Sequence, residues 1–451
     1  MEQNNHIHPT PLKALATALI LALAPLLMHS CLSYDPEYSI PPYDRPSENT
    51  GTRQPSEERR HTFIMFSLGH NNLSSALSRD LNELKAGFVP RNGRNDNVLL
   101  IFSHLSGSQT GPVLEKVYKT NDGTIVCDTL VKYSSGTISA SAETIREVLE
   151  YAHEEFPSAS YGMLLSSHAT GYLPAGFYAN PDGYRYAGAS QSASMSRRMA
   201  PYSAVPYIEP QLTEGEPMVK SIGQDVSNGL SYEIEISSFA DAIPMKLSYI
   251  LFDACLMGGI EVAYELRGKC DMVGFSQTEV LSNGFLYSSV GEHLLGDTTP
   301  HPELVCEDYF NSYDVNTGVY RSATISLIDC DKLDPLAEIC ATLFDKYRDR
   351  FTSIDPRKVQ QYYRMSYHWF YDLESIVTNL GITNEELSAF RDAVELCTVY
   401  KAATPSFMTG ASGFDINVFS GLSMYLPSNG NTELSKYYRT LSWNKAANLI
   451  Q

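Results

Sequence analysis

The sequence predicts an α/β fold in which a mostly parallel sheet is flanked by helices. Short, nearly unbroken apolar runs at 63–68, 98–102, 163–165, 247–252 and 272–275 have the length and β-rich composition of buried parallel strands. Amphipathic stretches separate them, and strand alternating with helix sets the strands into one sheet covered on both faces. With 451 residues, 43% of them hydrophobic and 19% charged, the chain has material for a large core and lacks the composition of a disordered protein.

The elements follow in order. Residues 1–30 read as an export signal, in which Lys13 precedes an uncharged apolar stretch over 14–28 that is too short for a membrane span. Cys31 follows directly and resembles the acylated cysteine of a bacterial lipobox, which implies a lipid anchor to a membrane of the cell envelope. Residues 31–60, with Pro36, Pro41, Pro42, Pro46 and Pro55 among polar residues, suit an extended tether. Within 61–300, Ile145, Val148, Leu149, Ala152 and Phe156 recur at helical spacing behind a cap at Ser141, and Ile260, Ala263 and Tyr264 do so before Gly268. Over 301–451 the rhythm becomes more helical, giving a C-terminal α/β extension. Asp334-Pro335 opens one helix, Thr383 and Glu386 form a capping box for another, and 323–328 and 422–426 read as strands.

The net charge of −19 disfavours nucleic acid as a partner and tolerates cationic substrates better than anionic ones. Eight cysteines lie at 31, 127, 255, 270, 306, 330, 340 and 397 without a CxxC pair, so no zinc framework is visible and buried free thiols are expected. Asn121-Asp122-Gly123 is a turn signal without the ligand ladder of a calcium loop. No metal site is predicted.

The chemistry gathers at two strand ends. The run over 247–253 leads to Cys255 and the run over 161–167 leads to His168, and open α/β sheets place their sites at the carboxyl ends of strands. A cysteine nucleophile needs help to ionise, which an imidazole or a helix N-terminus supplies. A helix beginning near 257–259 is expected to point its positive end at the sulfur, with Gly258-Gly259 bringing amides close to an oxyanion. Taken singly, a cysteine or histidine after an apolar strand is more often structural. His70 and His104 also follow apolar runs and are alternative bases on the same reasoning. The aromatic residues Tyr362, Tyr363, Tyr367, Trp369, Phe370 and Tyr371 read mainly as packing, with peptide or glycan binding as the other reading.

Phe252-Asp-Ala-Cys255-Leu-Met-Gly-Gly-Ile-Glu-Val-Ala-Tyr-Glu-Leu266 resembles the nucleophile segment of the clostripain family of cysteine peptidases, relatives of caspases, gingipains and legumains. Gly223-Gln224-Asp225, Phe239-Ala-Asp-Ala-Ile-Pro244, Ser276-Gln-Thr-Glu279, Asn283-Gly-Phe-Leu-Tyr287 and Ser423-Met-Tyr-Leu-Pro427 resemble its flanking blocks. The resemblance implies a caspase-like catalytic domain over 61–300 and an exported endopeptidase acting on peptide or protein substrates. It makes Cys255 the nucleophile and His168 the acid/base, with no obligatory third member. The oxyanion amides would be those of Cys255 and of Ala169, where the family usually has glycine.

The resemblance also implies cleavage after arginine or lysine, with Asp253 at the base of the side-chain pocket. Asn283 stands where a second acidic residue is usual. Family members are often cut internally after the histidine strand, and Arg185, Arg197 and Arg198 offer basic sites in the stretch over 178–210. Some members use calcium, but no residue here locates a site, and no other cofactor is implied. The Ala169 and Asn283 departures motivate a second reading, a catalytically impaired surface protein that binds peptides.

Overall fold

The computed structural model describes residues 60–106, 111–186, 203–206, 217, 219, 225–227, 229–365, 367–409, 412–429 and 431–451. The export signal, Cys31, nearly all of the tether, Arg197 and Arg198 lie outside the described residues.

Nine strands form the central sheet: β1 (His61–Gly69), β2 (Val98–Leu105), β3 (Val113–Lys119), β4 (Ile125–Lys132), β5 (Ser160–Ser166), β6 (Leu247–Asp253), β7 (Cys270–Phe275), β8 (Thr324–Asp329) and β9 (Thr398–Ala403). Their order across the sheet is β9-β8-β7-β6-β5-β1-β2-β3-β4. The middle five, β2-β1-β5-β6-β7, are parallel. β3 and β4 extend one edge and β8 and β9 the other, all antiparallel. Every residue of β1 is buried, and β5 and β6 are buried along nearly all their length, which is why they read as unbroken apolar runs. β3 and β4 are half exposed and carry charges, so no such run marks them.

From β1 the chain moves one way to β2, and from β5 it moves the other way to β6 and β7. The direction of winding therefore switches between β1 and β5, where open sheets leave a crevice at their carboxyl ends.

The helices are α1 (Ser74–Ala86), α2 (Ala142–Glu155), α3 (Ile236–Ala242), α4 (Ile260–Leu266), α5 (Tyr287–Leu295), α6 (Pro302–Asp314), α7 (Leu333–Lys346), α8 (Leu373–Asn379), α9 (Asn384–Cys397), α10 (Thr432–Tyr438) and α11 (Ser442–Ala447). Nine of them pack in two groups. One is α1, α5 and α6; the other runs α2, α3, α4, α11, α7 and α9. α2 starts where its cap requires, with the Thr144 amide donating to Ser141 Oγ at 3.1 Å, and buries Ile145, Val148, Leu149 and Ala152. The capping box of Thr383 and Glu386 opens α9.

The sheet runs across residue 300, because β8 and β9 continue it beyond β7. Within 422–426 only Ser423–Met424 pairs, and its partner is Tyr371–Asp372 rather than the central sheet. A separate three-stranded ladder joins Ser203–Pro206, Leu230–Glu233 and Asp225–Ser227. Among the described cysteines all seven are free thiols, six of them buried.

Candidate active site

β5 and β6 are parallel neighbours in the register Ser166 opposite Asp253, so His168 and Cys255 each lie two residues beyond the last paired position. Both are buried, at 4% and 0% exposure. The sulfur of Cys255 accepts the Val280 amide at 3.0 Å and lies 3.8 Å from the Val280 carbonyl. Val280 belongs to the segment leaving β7, which is laced to the nucleophile turn. Leu256 N–H donates to Thr278 O at 2.9 Å and Gly258 N–H to Ser276 O at 2.7 Å.

Those bonds correct one expectation. The helix is capped by Gly259, at the end of the expected range, and Ile260 is its first residue. The Gly258 amide is bound to Ser276, and the Gly259 amide turns back to Met257 O at 2.8 Å, so this pair is not presented to an oxyanion. The left-handed residue in the turn is Leu256, at φ +62°. Gly258 is there for space, since a Cβ would stand 2.7 Å from the Gln277 backbone nitrogen.

His168 Nε2 pairs with Asn72 Oδ1 at 2.7 Å. Asn72 sits on the loop from β1 to α1, and sequence reasoning missed it: only the fold brings it to a histidine 96 positions away. Leu256, Met408 and Asn448 are the described non-glycine residues with positive φ, so Ala169 holds an ordinary backbone and its methyl group imposes no conformational penalty.

Asp253 is fully buried, and its Oδ2 accepts from Ser166 Oγ at 2.9 Å and Tyr287 OH at 2.5 Å. Burial, reinforced by the Asp253 charge, pushes the Tyr287 hydroxyl well above its usual range and keeps it a donor. Asn283 is exposed, on a turn closed by Gly284 N–H to Leu281 O at 2.9 Å. The structure does not bury it beside Asp253. Arg185 is also exposed, its guanidinium donating to the carbonyls of Asp182 and Tyr184.

The alternative bases form a cluster of their own. His70 and His104 stack at 4.2 Å between ring centres, and His104 Nδ1 lies 3.0 Å from Ser139 Oγ and 3.7 Å from Asp225 Oδ1. Asp225 in turn accepts from Ser139 Oγ and the Ala140 amide, and Val226 N–H donates to His70 O, so the cluster ties the three-stranded ladder to the sheet. Between that ladder and the sheet lies a cavity of about 70 Å³, whose walls include His168, Ala169, Leu165, Phe252, Met257 and Glu233. Of the aromatic cluster, Tyr362, Tyr363, Trp369, Phe370 and Tyr371 are buried, and Tyr367 alone of the six is exposed, stacked on Trp369 at 5.4 Å.

A model of the clostripain family matches residues 210–449, more than half of the chain and the part that carries Asp253, Cys255 and Val280. The chain belongs to the clostripain family. It is a cysteine peptidase by that membership. Among solved structures it resembles an inactive zymogen C11 protease from Parabacteroides distasonis, with 28% identity, a TM-score of 0.68 and coverage of 88% of this chain and 99% of that one. A secreted C11 cysteine protease from Bacteroides thetaiotaomicron shares the fold at 23% identity and a TM-score of 0.66, covering 86% of this chain and 99% of that one. A structure described as a secreted C11 cysteine protease from the same organism, in complex with an irreversible peptide inhibitor, gives 23% identity and a TM-score of 0.67 at the same coverage. No curated protein matches the chain.

Proposed function

We propose that this clostripain-family member is an exported endopeptidase in which Cys255 attacks the scissile carbonyl and His168 protonates the leaving amine. Water then hydrolyses the thioester, with His168 acting as base. The observation that carries the reading is the in-register pairing of β5 and β6, which sets thiol and imidazole on neighbouring strand ends beside the switch point between β1 and β5. The amides of Cys255 and Ala169 serve the oxyanion. This chemistry needs no cofactor.

The buried Asp253 supports a preference for arginine or lysine at P1, and exposed Asn283 replaces the usual second acid, weakening that preference. Incubation with an arginine- or lysine-based acyloxymethyl ketone tests this. Covalent labelling that disappears in Cys255→Ala supports the enzyme, and a folded protein that stays unlabelled even after cleavage within 178–210 supports the peptide-binding reading instead.

Self-processing at Arg185, Arg197 or Arg198 is part of the proposal. The full sealing of Cys255 in the intact chain favours it, as does the likeness to a protein described as an inactive zymogen. A purified protein that remains one chain while cleaving peptides would sink the idea. Export and lipid attachment through Cys31 rest on the N-terminal sequence; among the described residues no helix is long and apolar enough to cross a membrane. Mass spectrometry of membrane-fraction protein for a diacylated Cys31 tests the anchor.

A further inference from the structure

We propose that Cys270 and Cys330 are a disulfide-forming pair, oxidised as the exported chain folds, and that the bond staples the start of β7 to the end of β8. The inference rests on the export reading of residues 1–30, because disulfides persist in oxidising compartments.

The two sulfurs are in contact at 3.6 Å, and the residues are buried, at 0% and 3% exposure. β7 and β8 are antiparallel neighbours whose pairing ends with Met272 opposite Asp329. Cys270 opens β7 two residues before Met272. Cys330 follows Asp329 directly, at the head of a single 3-10 turn, Cys330–Lys332. Strand pairing thus brings together side chains 60 positions apart in sequence. The carbonyls that each sulfur reaches lie further off, Leu266 O at 3.9 Å from Cys270 Sγ and Ile328 O at 4.0 Å from Cys330 Sγ. Closing the gap to a bond of about 2.05 Å takes a movement of about 1.5 Å, which rotation of two short side chains supplies.

The reaction is thiol–disulfide exchange with an external disulfide, a small molecule such as oxidised glutathione or a protein oxidant. The thiolate of one cysteine attacks that disulfide and releases one thiol. The second thiolate then attacks the mixed disulfide and releases the other. The pair gives up two protons and two electrons, and the oxidant leaves as two thiols. In the folded chain the hydrogen bond with Cys330, together with burial, holds the Cys270 thiol well above its usual range, so little thiolate forms there. The exchange therefore belongs to folding, before β8 closes on β7, and the finished bond is shielded from reductants. It closes a loop over 270–330 that contains Val280, so the segment touching the Cys255 sulfur hangs from a covalent staple.

The test unfolds the reduced full chain, refolds it in a mixture of reduced and oxidised glutathione, and alkylates it with N-ethylmaleimide in guanidinium, where burial hides no thiol. Trypsin without reductant should then release residues 270–321 joined to 322–332, with fragmentation placing the bond at Cys270 rather than Cys306. Protein isolated from the cell envelope and alkylated in the same way should give the same linked peptide. Dithiothreitol should lower the urea midpoint of the refolded wild type by roughly half a molar unit or more and leave that of Cys330→Ala unchanged. Recovery of Cys270 and Cys330 on separate alkylated peptides in either sample overturns the proposal. So does a wild-type midpoint that ignores dithiothreitol, or a bond from Cys330 to Cys397, whose thiol feels the charge of Cys330. Failure of the export reading shows separately, as protein that keeps residues 1–30 and fractionates with the cytoplasm while the glutathione result stands.

Discussion

His168 donates from Nε2 to Asn72 Oδ1, so in the neutral imidazole the proton sits on that nitrogen and the lone pair on Nδ1, the atom that in the proposed mechanism exchanges protons with thiol and leaving amine. Asn72 thus fixes a tautomer and a ring orientation. Asn72→Ala should lower kcat by roughly 10- to 100-fold with KM little changed, part of what a positioned acid/base contributes, in steady-state peptide hydrolysis. In the proposed function Asp253 acts on specificity. Its carboxylate is held by Ser166 and Tyr287, and Asp253→Asn keeps those bonds' geometry while removing the charge. Loss of a desolvated charge contact costs roughly 2–5 kcal/mol, so kcat/KM for arginine substrates should fall by about 10²-fold or more relative to a neutral P1 residue.

At the level of elements, the junction between β6 and α4 is set by packing between loops. Leu256 is driven to φ +62° while Gly171, itself at φ +63°, lies so close that a Cβ would stand 2.4 Å from Leu256 O. Gly171→Ala adds both a clash and a strained backbone and should cost about 1–3 kcal/mol, measured by urea denaturation, with activity falling as the Cys255 turn is displaced. None of this was visible in the amino-acid string, which offered Gly258-Gly259 as the obvious flexible point. The buried strands and the helices with capping residues were legible, because β1, β5 and β6 each carry a run of apolar residues and Ser141 and Thr383 announce their helices. β3 and β4 were not, since an edge hairpin with one solvated face carries as many charges as a loop. Cys255 and His168 were legible as candidates because each follows an apolar run, and Asp253 through the resemblance of its segment to the clostripain family. Asn72 was not, because its role depends on a contact between segments 96 residues apart.

At the scale of the whole molecule, two buried groups respond to pH in opposite directions. His61, held between Ser160 Oγ and Tyr249 OH, is pushed down to about 4 by burial, so its contribution is full above its ordinary 6.5 and is lost as the pH falls toward 4. Glu261, in the first turn of α4, is pushed up to about 7 by burial, although Tyr425 N–H and Tyr438 OH both donate to it. Its contribution is full below 4.5 and is lost as the pH rises through 7. Between pH 4.5 and 6.5 the two oppose each other, each by up to about 1.4 kcal/mol per pH unit. Relative to wild type, Glu261→Gln should gain stability from pH 5 to pH 6.5 and His61→Asn should lose it, in urea denaturation at both values. The order of strands carries a last consequence. β5 and β6 are adjacent in the middle of the sheet, yet the stretch over 187–202 separates them in sequence. A cut there divides one hydrophobic core between two polypeptides, five strands on the first and four on the second, and makes an obligate heterodimer of what was one chain. The nicked protein should elute as a single species in native gel filtration and separate only in denaturant, and neither half, produced alone, should fold without the other.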